Sequence, residues 1–306
     1  MSAMKTRQLV AKKIRLGAVA NWAPLYLLAP ALILLAMFLL GPLLAVLGLS
    51  FTDYQLGSKS LNWIGIENFI ELYHDKNFWR SLRNTALYSG VVVPVSVLLG
   101  LGVALLIEAQ KSFKDFYRTI FFLPVMATLI AMAISWQFIL HPSFGFLNLL
   151  LKEFGLSGHN WLRTESLALW VLAAIGIWNQ FGFNMVLFLA GLVSIPRHLY
   201  DAAAMDGAAS PFERFRLVTW PLLGPVTLFV VVITAIRSFQ VFDTVAILTK
   251  GGPSKSTEVL LYTMYAEGFE FFKSGYASAV TIVFLVIVLA LTLIKTRYLE
   301  KKVHYA

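Results

Sequence analysis

The sequence predicts an all-α integral membrane protein with six transmembrane helices. Three observations carry that expectation: six apolar runs long enough to cross a bilayer, almost no charge inside them, and a one-sided distribution of Lys and Arg between them. Hydrophobic residues make up 58% of the 306-residue chain and charged residues 13%, outside the composition of soluble globular domains. A helix needs about 20 apolar residues to cross the hydrocarbon, and each run meets that length.

The first run, about 25–49, follows a basic tail over 1–22 that contains Lys5, Arg7, Lys12, Lys13 and Arg15. It is too long for the apolar region of a cleaved signal and has no convincing cleavage site, so it reads as a first anchor. Further runs fall at about 86–107, 119–140, 167–192, 222–248 and 276–294, and a tail over 296–306 closes the chain. Among the six, only 222–248 contains Asp, Glu, Lys or Arg, namely Arg237 and Asp243. Trp22, Tyr26, Tyr54, Trp63, Trp79, Trp161 and Tyr298 stand near run ends, where amphipathic rings anchor in the headgroup layer. No repeat or low-complexity tract divides the chain, and residues 23–295 read as one membrane domain.

Charge fixes the expected orientation. The segments on the N-terminal side of the membrane hold 15 Lys and Arg against six Asp and Glu, and the opposite side holds nine of each. The positive-inside rule then places both termini, and the 193–221 segment, in the cytoplasm. The absence of cysteine excludes thiol catalysis and disulfides, and the five scattered His offer no metal cluster. The formal charge of +9 is explained by topology, and no basic stripe with interleaved aromatics points to nucleic acid. Gly251-Gly252-Pro253-Ser254-Lys255-Ser256 superficially resembles a phosphate loop but lacks the required spacing and a preceding strand; it reads as a turn over the outer mouth.

The 193–221 segment reads as helix, tight turn, helix. Ser194 is expected to cap the first helix, with Pro196 in its first turn and Gly207 ending it in a left-handed conformation. Ser210-Pro211-Phe212-Glu213 has the form of a capping box, and Pro221 limits the second helix. Ala202, Ala203, Ala204, Ala208 and Ala209 keep the turn narrow enough to enter a groove, while Asp201, Asp206, Arg214 and Arg216 offer charges for register. A plain structural connector has the same local form, so capping and composition alone leave both readings open.

Several motifs resemble the permeases of the maltose-type carbohydrate branch of binding-protein-dependent ABC importers. They are Trp63-x-Gly65-x-Glu67-Asn68, Asn84-Thr85, Arg118-Thr119-x-Phe121-Phe122-x-Pro124, Ala190-Gly191-Leu192, Tyr200-Asp201-Ala202-Ala203, Asp206-Gly207-Ala208, Phe215-Arg216 with Thr219-x-Pro221, and Leu248-Thr249-x-Gly251-Gly252-Pro253. They occur in that branch's order and run from about Leu25 almost to the C-terminus. This chain departs in having Asp201 for the usual Glu and one extra residue between Gly207 and Pro221. The resemblance implies a type I importer permease fold, with Asp201, Ala202, Ala203, Met205, Asp206, Gly207, Ala208, Ser210, Pro211 and Phe212 docking on an ATPase. It also implies a second permease subunit, a different chain in the usual arrangement, two ATPase subunits, a periplasmic solute-binding protein, and surrounding lipid in a bacterial inner membrane. On that reading the chain is not an enzyme and binds no cofactor, ATP and Mg being held by the partner. Arg297-Tyr298-Leu299-Glu300-x-Lys302-Val303 resembles the tails of glycerol-phosphate and sugar members.

Polar groups inside apolar spans mark either a solute path or contacts between helices. At 100° per residue, Arg237, Gln240 and Thr244 share one face of a continuous helix, with Thr234 and Asp243 on its flanks. Gln180 and Asn184 lie one turn apart, next to Trp178 and Asn179, and Trp136 and Gln137 stand near the outer end of the third run. Aromatic faces with amides suit sugar hydroxyls, whereas Asn and Gln are also common interhelical ties. A secondary transporter would be expected to show repeat symmetry and charged or broken helices near the midplane, and a membrane-embedded sugar transferase would need clustered acids or His.

Overall fold

The computed structural model describes residues 23–110 and 112–294. The expected tails, with Trp22, Tyr298 and the Arg297–Val303 motif, lie outside them. Five helices are long and apolar enough to cross a membrane: Tyr26–Leu49, Lys76–Ala109, Glu165–Ser194, Gly224–Leu248 and Ser274–Leu293. A bent pair, Lys114–Met126 and Leu129–Ile139, meets at 95° and brings the number to six when counted as one span. The apolar helices follow the predicted order, but those of the third and fifth runs are not the continuous helices expected.

Span two begins ten residues before the expected 86. Asp75 adopts an extended conformation and accepts the Asn77 N–H at 2.8 Å, a side-chain cap that starts the helix in a polar stretch with no hydropathy signal. Span three breaks at Ala127 and Thr128, both extended at ψ 136°, just past Pro124, which lacks the N–H that an uninterrupted helix needs. Span five divides into Gly224–Phe239 and Asp243–Leu248, with Phe242 at φ −143°, ψ −59° between them. Non-helical backbone at membrane depth is tolerated only where protein covers it or where it lines a wet cavity.

Spans two and four form the most extensive helix interface, joined by span five. Their buried core contains Val97, Leu101 and Ala104 from span two, Met185, Phe188 and Leu189 from span four, and Val230 from span five. Lipid tails are as apolar as these side chains, so close packing rather than water exclusion holds the helices together. The same core takes in Ile195, Val218 and Leu223 from the 195–223 connection. That connection is thereby packed into the bundle.

On the opposite side the inter-span segments latch onto one another. Asn68, 5% exposed, donates to the carbonyls of Ser50 and Thr52 at 2.9 and 2.8 Å. Asn84 donates to the carbonyls of Lys255 and Glu258 at 3.2 and 2.9 Å, and the Leu260 N–H donates to Thr85 Oγ1 at 2.9 Å. Arg80 donates to the Ser254 carbonyl at 3.0 Å. The segment that follows the Gly-Gly-Pro turn is thus bound to the start of span two through the backbone of Ser254, Lys255, Glu258 and Leu260.

Candidate functional site: a cavity between broken helices and a protruding hairpin

The hairpin is built from Arg197–Met205 and a second helical stretch over 211–222. Ile195 is extended, as a residue before proline must be, so span four ends at Ser194 and Pro196 occupies the cap of the next helix. Ser194 does not cap that helix as expected; its hydroxyl donates to the Gly191 carbonyl at 2.7 Å. Gly207 adopts φ +96°. Its N–H reaches the Ala204 carbonyl at 3.3 Å and that of Ala208 reaches the Ala203 carbonyl at 2.9 Å, which is the Schellman pattern.

Ser210 and Glu213 make the reciprocal bonds of a capping box, at 3.1 Å to the Glu213 N–H and 3.0 Å from the Ser210 N–H. The Ser210 backbone N–H is the main cause holding the Glu213 carboxyl below its ordinary range, followed by the Ser210 side chain. After Pro211–Arg214 the chain winds through one π turn, Phe215–Thr219. A π turn holds one residue more than an α turn. Tyr200 and Thr219 hydroxyls meet at 3.0 Å, and Arg214 Nε donates to the Ala208 carbonyl at 3.1 Å, tying the two arms together.

Most of the turn points outward. Met205 is 88% exposed and Phe212 71%. Asp201, Ala202, Asp206, Gly207 and Pro211 are exposed as well, Ala203 and Ser210 are half-buried, and Ala208 is buried. The knuckle is narrow and leaves two large apolar side chains, Met205 and Phe212, bare.

A cavity of about 260 Å³ lies where the two broken spans meet. Leu129 and Met132 line it from beyond the break in span three, Asn179 and Gln180 from span four, and Arg237, Gln240, Phe242, Asp243 and Thr244 from both sides of the break in span five. The break, rather than an uninterrupted helical face, brings Asp243 and Thr244 to the same cavity as Arg237. The Arg237 guanidinium sits 4.0 Å over the Phe183 ring, and no ion pair is made by Arg237 or Asp243 among the described residues. A cation–π contact contributes about 0.5–2 kcal/mol, against about 2.5–3.5 kcal/mol for Arg at a helix centre, so the charge needs the polar cavity beside it.

Asn179 has a second task. Its Nδ2 donates to the Pro124 carbonyl at 2.9 Å and approaches Met132 Sδ at 3.6 Å, bracketing the break in span three from both ends. Gln180 Oε1 and Thr244 Oγ1 are buried without a hydrogen-bond partner. We expect Asn179→Ala to disfavour the bent form of span three by about 1–3 kcal/mol, since the Pro124 carbonyl loses its donor; a lowered thermal midpoint of the purified protein checks it.

Other polar residues are placed elsewhere. Asn184 is 1% exposed, accepts from Thr234 at 2.9 Å and donates to Ser96 Oγ at 3.3 Å, an interhelical tie outside the cavity. Trp136 and Trp178 pack edge to face at 5.6 Å. Gln137 lines a separate polar cavity of about 230 Å³ with His141, Asn160 and Arg163. Tyr88 and Phe242, which the sequence did not single out, line the main cavity; as aromatics in apolar runs they are indistinguishable from core residues until the breaks are seen.

Comparison with known proteins places this architecture. A family model described as binding-protein-dependent transport system inner membrane component matches residues 96–305. The sn-glycerol-3-phosphate transport system permease protein UgpA of Yersinia enterocolitica is 32% identical over 296 residues, covering 95% of this chain and 98% of the relative. A crystal structure of a bacterial ABC transporter involved in the import of the acidic polysaccharide alginate superimposes with a TM-score of 0.80 at 25% identity, covering 94% of this chain and 99% of that one. The bacterial alginate transporter in complex with alginate pentasaccharide-bound periplasmic protein gives 0.78, also at 25% identity, covering 90% and 93%.

Proposed function

The chain belongs to the family of inner membrane components of binding-protein-dependent transport systems, and from that premise we propose that it forms half of an ABC importer's pathway for a sugar, glycoside or polyol phosphate, driven through its 193–221 hairpin by a separate ATPase. Family membership sets aside the secondary transporter and the membrane-embedded transferase. The broken helices that a secondary transporter would be expected to show are present in spans three and five, and here they frame the cavity.

The observation that carries the proposal is the continuity between hairpin and cavity. Ile195, Val218 and Leu223 share one packed core with Met185, Phe188 and Val230, on the same two spans that line the cavity through Gln180 and Arg237. A force applied at the knuckle therefore moves the cavity walls as a body. This is the coupling that alternating access by rigid-body rocking needs. The charge balance supports a cytoplasmic knuckle and cytoplasmic termini. Two ATPase subunits then hold the ATP and Mg, this chain holds no cofactor, a second permease completes the path, and a solute-loaded binding protein docks on the latched outer face.

The test is uptake by proteoliposomes containing the complete assembly. Uptake is expected to require ATP, both permeases and the binding protein, and to proceed without an ion gradient. Gradient-driven uptake by this chain alone would contradict the proposal.

A further inference from the structure

We infer that the cavity takes a solute bearing an anionic group, phosphoryl or carboxylate, which Arg237 receives while Gln180, Asp243 and Thr244 accept hydrogen bonds from its hydroxyls. The inference rests on the permease reading above and adds the charge and orientation of the solute.

Among the described residues, Arg237 is the only Lys or Arg that lines the cavity. The Phe183 ring covers one face of its guanidinium, and among the described residues no ion pair takes up its N–H donors. A planar fork of donors in a membrane-level cavity matches a carboxylate or phosphoryl group bidentately. Asp243, six residues on, does not occupy that position: no ion pair joins the two among the described residues.

Asp243 adds an acceptor-only carboxylate to the remaining lining, beside the amides of Gln180 and Gln240 and the hydroxyls of Tyr88 and Thr244, which donate and accept. Thr244 is 5% exposed, and its Oγ1 and Gln180 Oε1 are buried with no partner. The Asn179 amide is committed to the Pro124 carbonyl and is not a free donor. A carboxylate only accepts, and Thr and Gln side chains are able to accept; the donors that answer them on a small solute are hydroxyls. An anion is attracted by the Arg237 guanidinium and repelled by the Asp243 carboxylate, which line the same cavity from the two sides of the break in span five. The anionic group therefore sits at the Arg237 end, and the hydroxyls face Asp243 and Thr244.

Equilibrium binding to the complete transporter in nanodiscs, without its binding protein, isolates this cavity. Radiolabelled sn-glycerol 3-phosphate, glucose 6-phosphate and glucuronate are compared with glycerol and glucose, the phosphoryl and carboxylate arms separating the two anion types. At least one anionic probe is expected to bind tenfold or more tightly than its neutral counterpart. Arg237→Gln is expected to abolish that difference, and Arg237→Lys to retain it within about threefold. Equal binding of neutral and anionic probes, a preference that persists in Arg237→Gln, or no binding of any anion overturns the inference. ATP-driven uptake by the same wild-type complex, reconstituted in proteoliposomes with its binding protein, is measured in parallel; its absence would strike the permease reading and not the charge assignment.

Discussion

Gly207→Pro is expected to leave the chain inserted in the membrane and reduce solute-stimulated ATP hydrolysis by the assembled transporter at least tenfold. Gly207 holds φ +96°, and proline is confined near −65°. The substitution also removes the N–H that bonds the Ala204 carbonyl, and together these disfavour the native turn by about 3 kcal/mol or more. No neighbour lies within 4 Å of where a Cβ would stand, so the effect is conformational and not steric. Gly207→Asn is the control: Asn tolerates left-handed backbone far better than most residues and is expected to retain most of the stimulation. Normal stimulation in Gly207→Pro would refute the hairpin as the coupling element.

Gly182→Ala is expected to lower the thermal midpoint of the purified protein by several degrees and uptake by about tenfold. A methyl group there would run into the Phe121 carbonyl, where the first half of span three lies against span four. A backbone oxygen cannot rotate aside as a side chain does, and overpacking of this kind costs about 1–3 kcal/mol. The helix would have to retreat, stretching the Asn179 bond to Pro124 and altering the cavity. Gly102→Ala, in span two with nothing within 4 Å of the added atom, is expected to be neutral. Thermal shift and uptake on the two variants decide the matter, and equal behaviour would remove the close approach at Gly182 from the account.

What the sequence disclosed depended on how local the cause was. Gly207 and the Ser210-Pro211-x-Glu213 box fix their own backbone within a few residues, and the hairpin was legible for that reason. Spans were legible from hydropathy, but their ends were not where a side chain decided them: Asp75 starts span two in a stretch of polar residues. The cap expected of Ser194 fell to Pro196 because Ile195, restrained by the proline after it, ended the preceding helix. The breaks were the main loss. Phe239-Gln240-Val241-Phe242 contains neither Gly nor Pro, so no local signal marks its departure from helix, beyond which Thr244 and Val245 are buried. Arg237, Gln240, Asp243 and Thr244 were grouped together from the sequence, yet the geometry that unites them needs the tertiary fold. Asn184 shows the converse, an amide whose two partners, Ser96 and Thr234, lie on other helices that no local pattern pairs with it.

A cytoplasmic knuckle is what an ATPase on that side of the membrane requires. The chain has no cysteine, and Met205 is 88% exposed at the tip, so Met205→Cys supplies a single reporter. A membrane-impermeant maleimide is predicted to label it in inside-out vesicles and not in intact cells, with labelling suppressed when the ATPase is bound. Labelling of Met205→Cys from outside intact cells would contradict the assignment of this hairpin as the point where nucleotide-driven motion enters the chain.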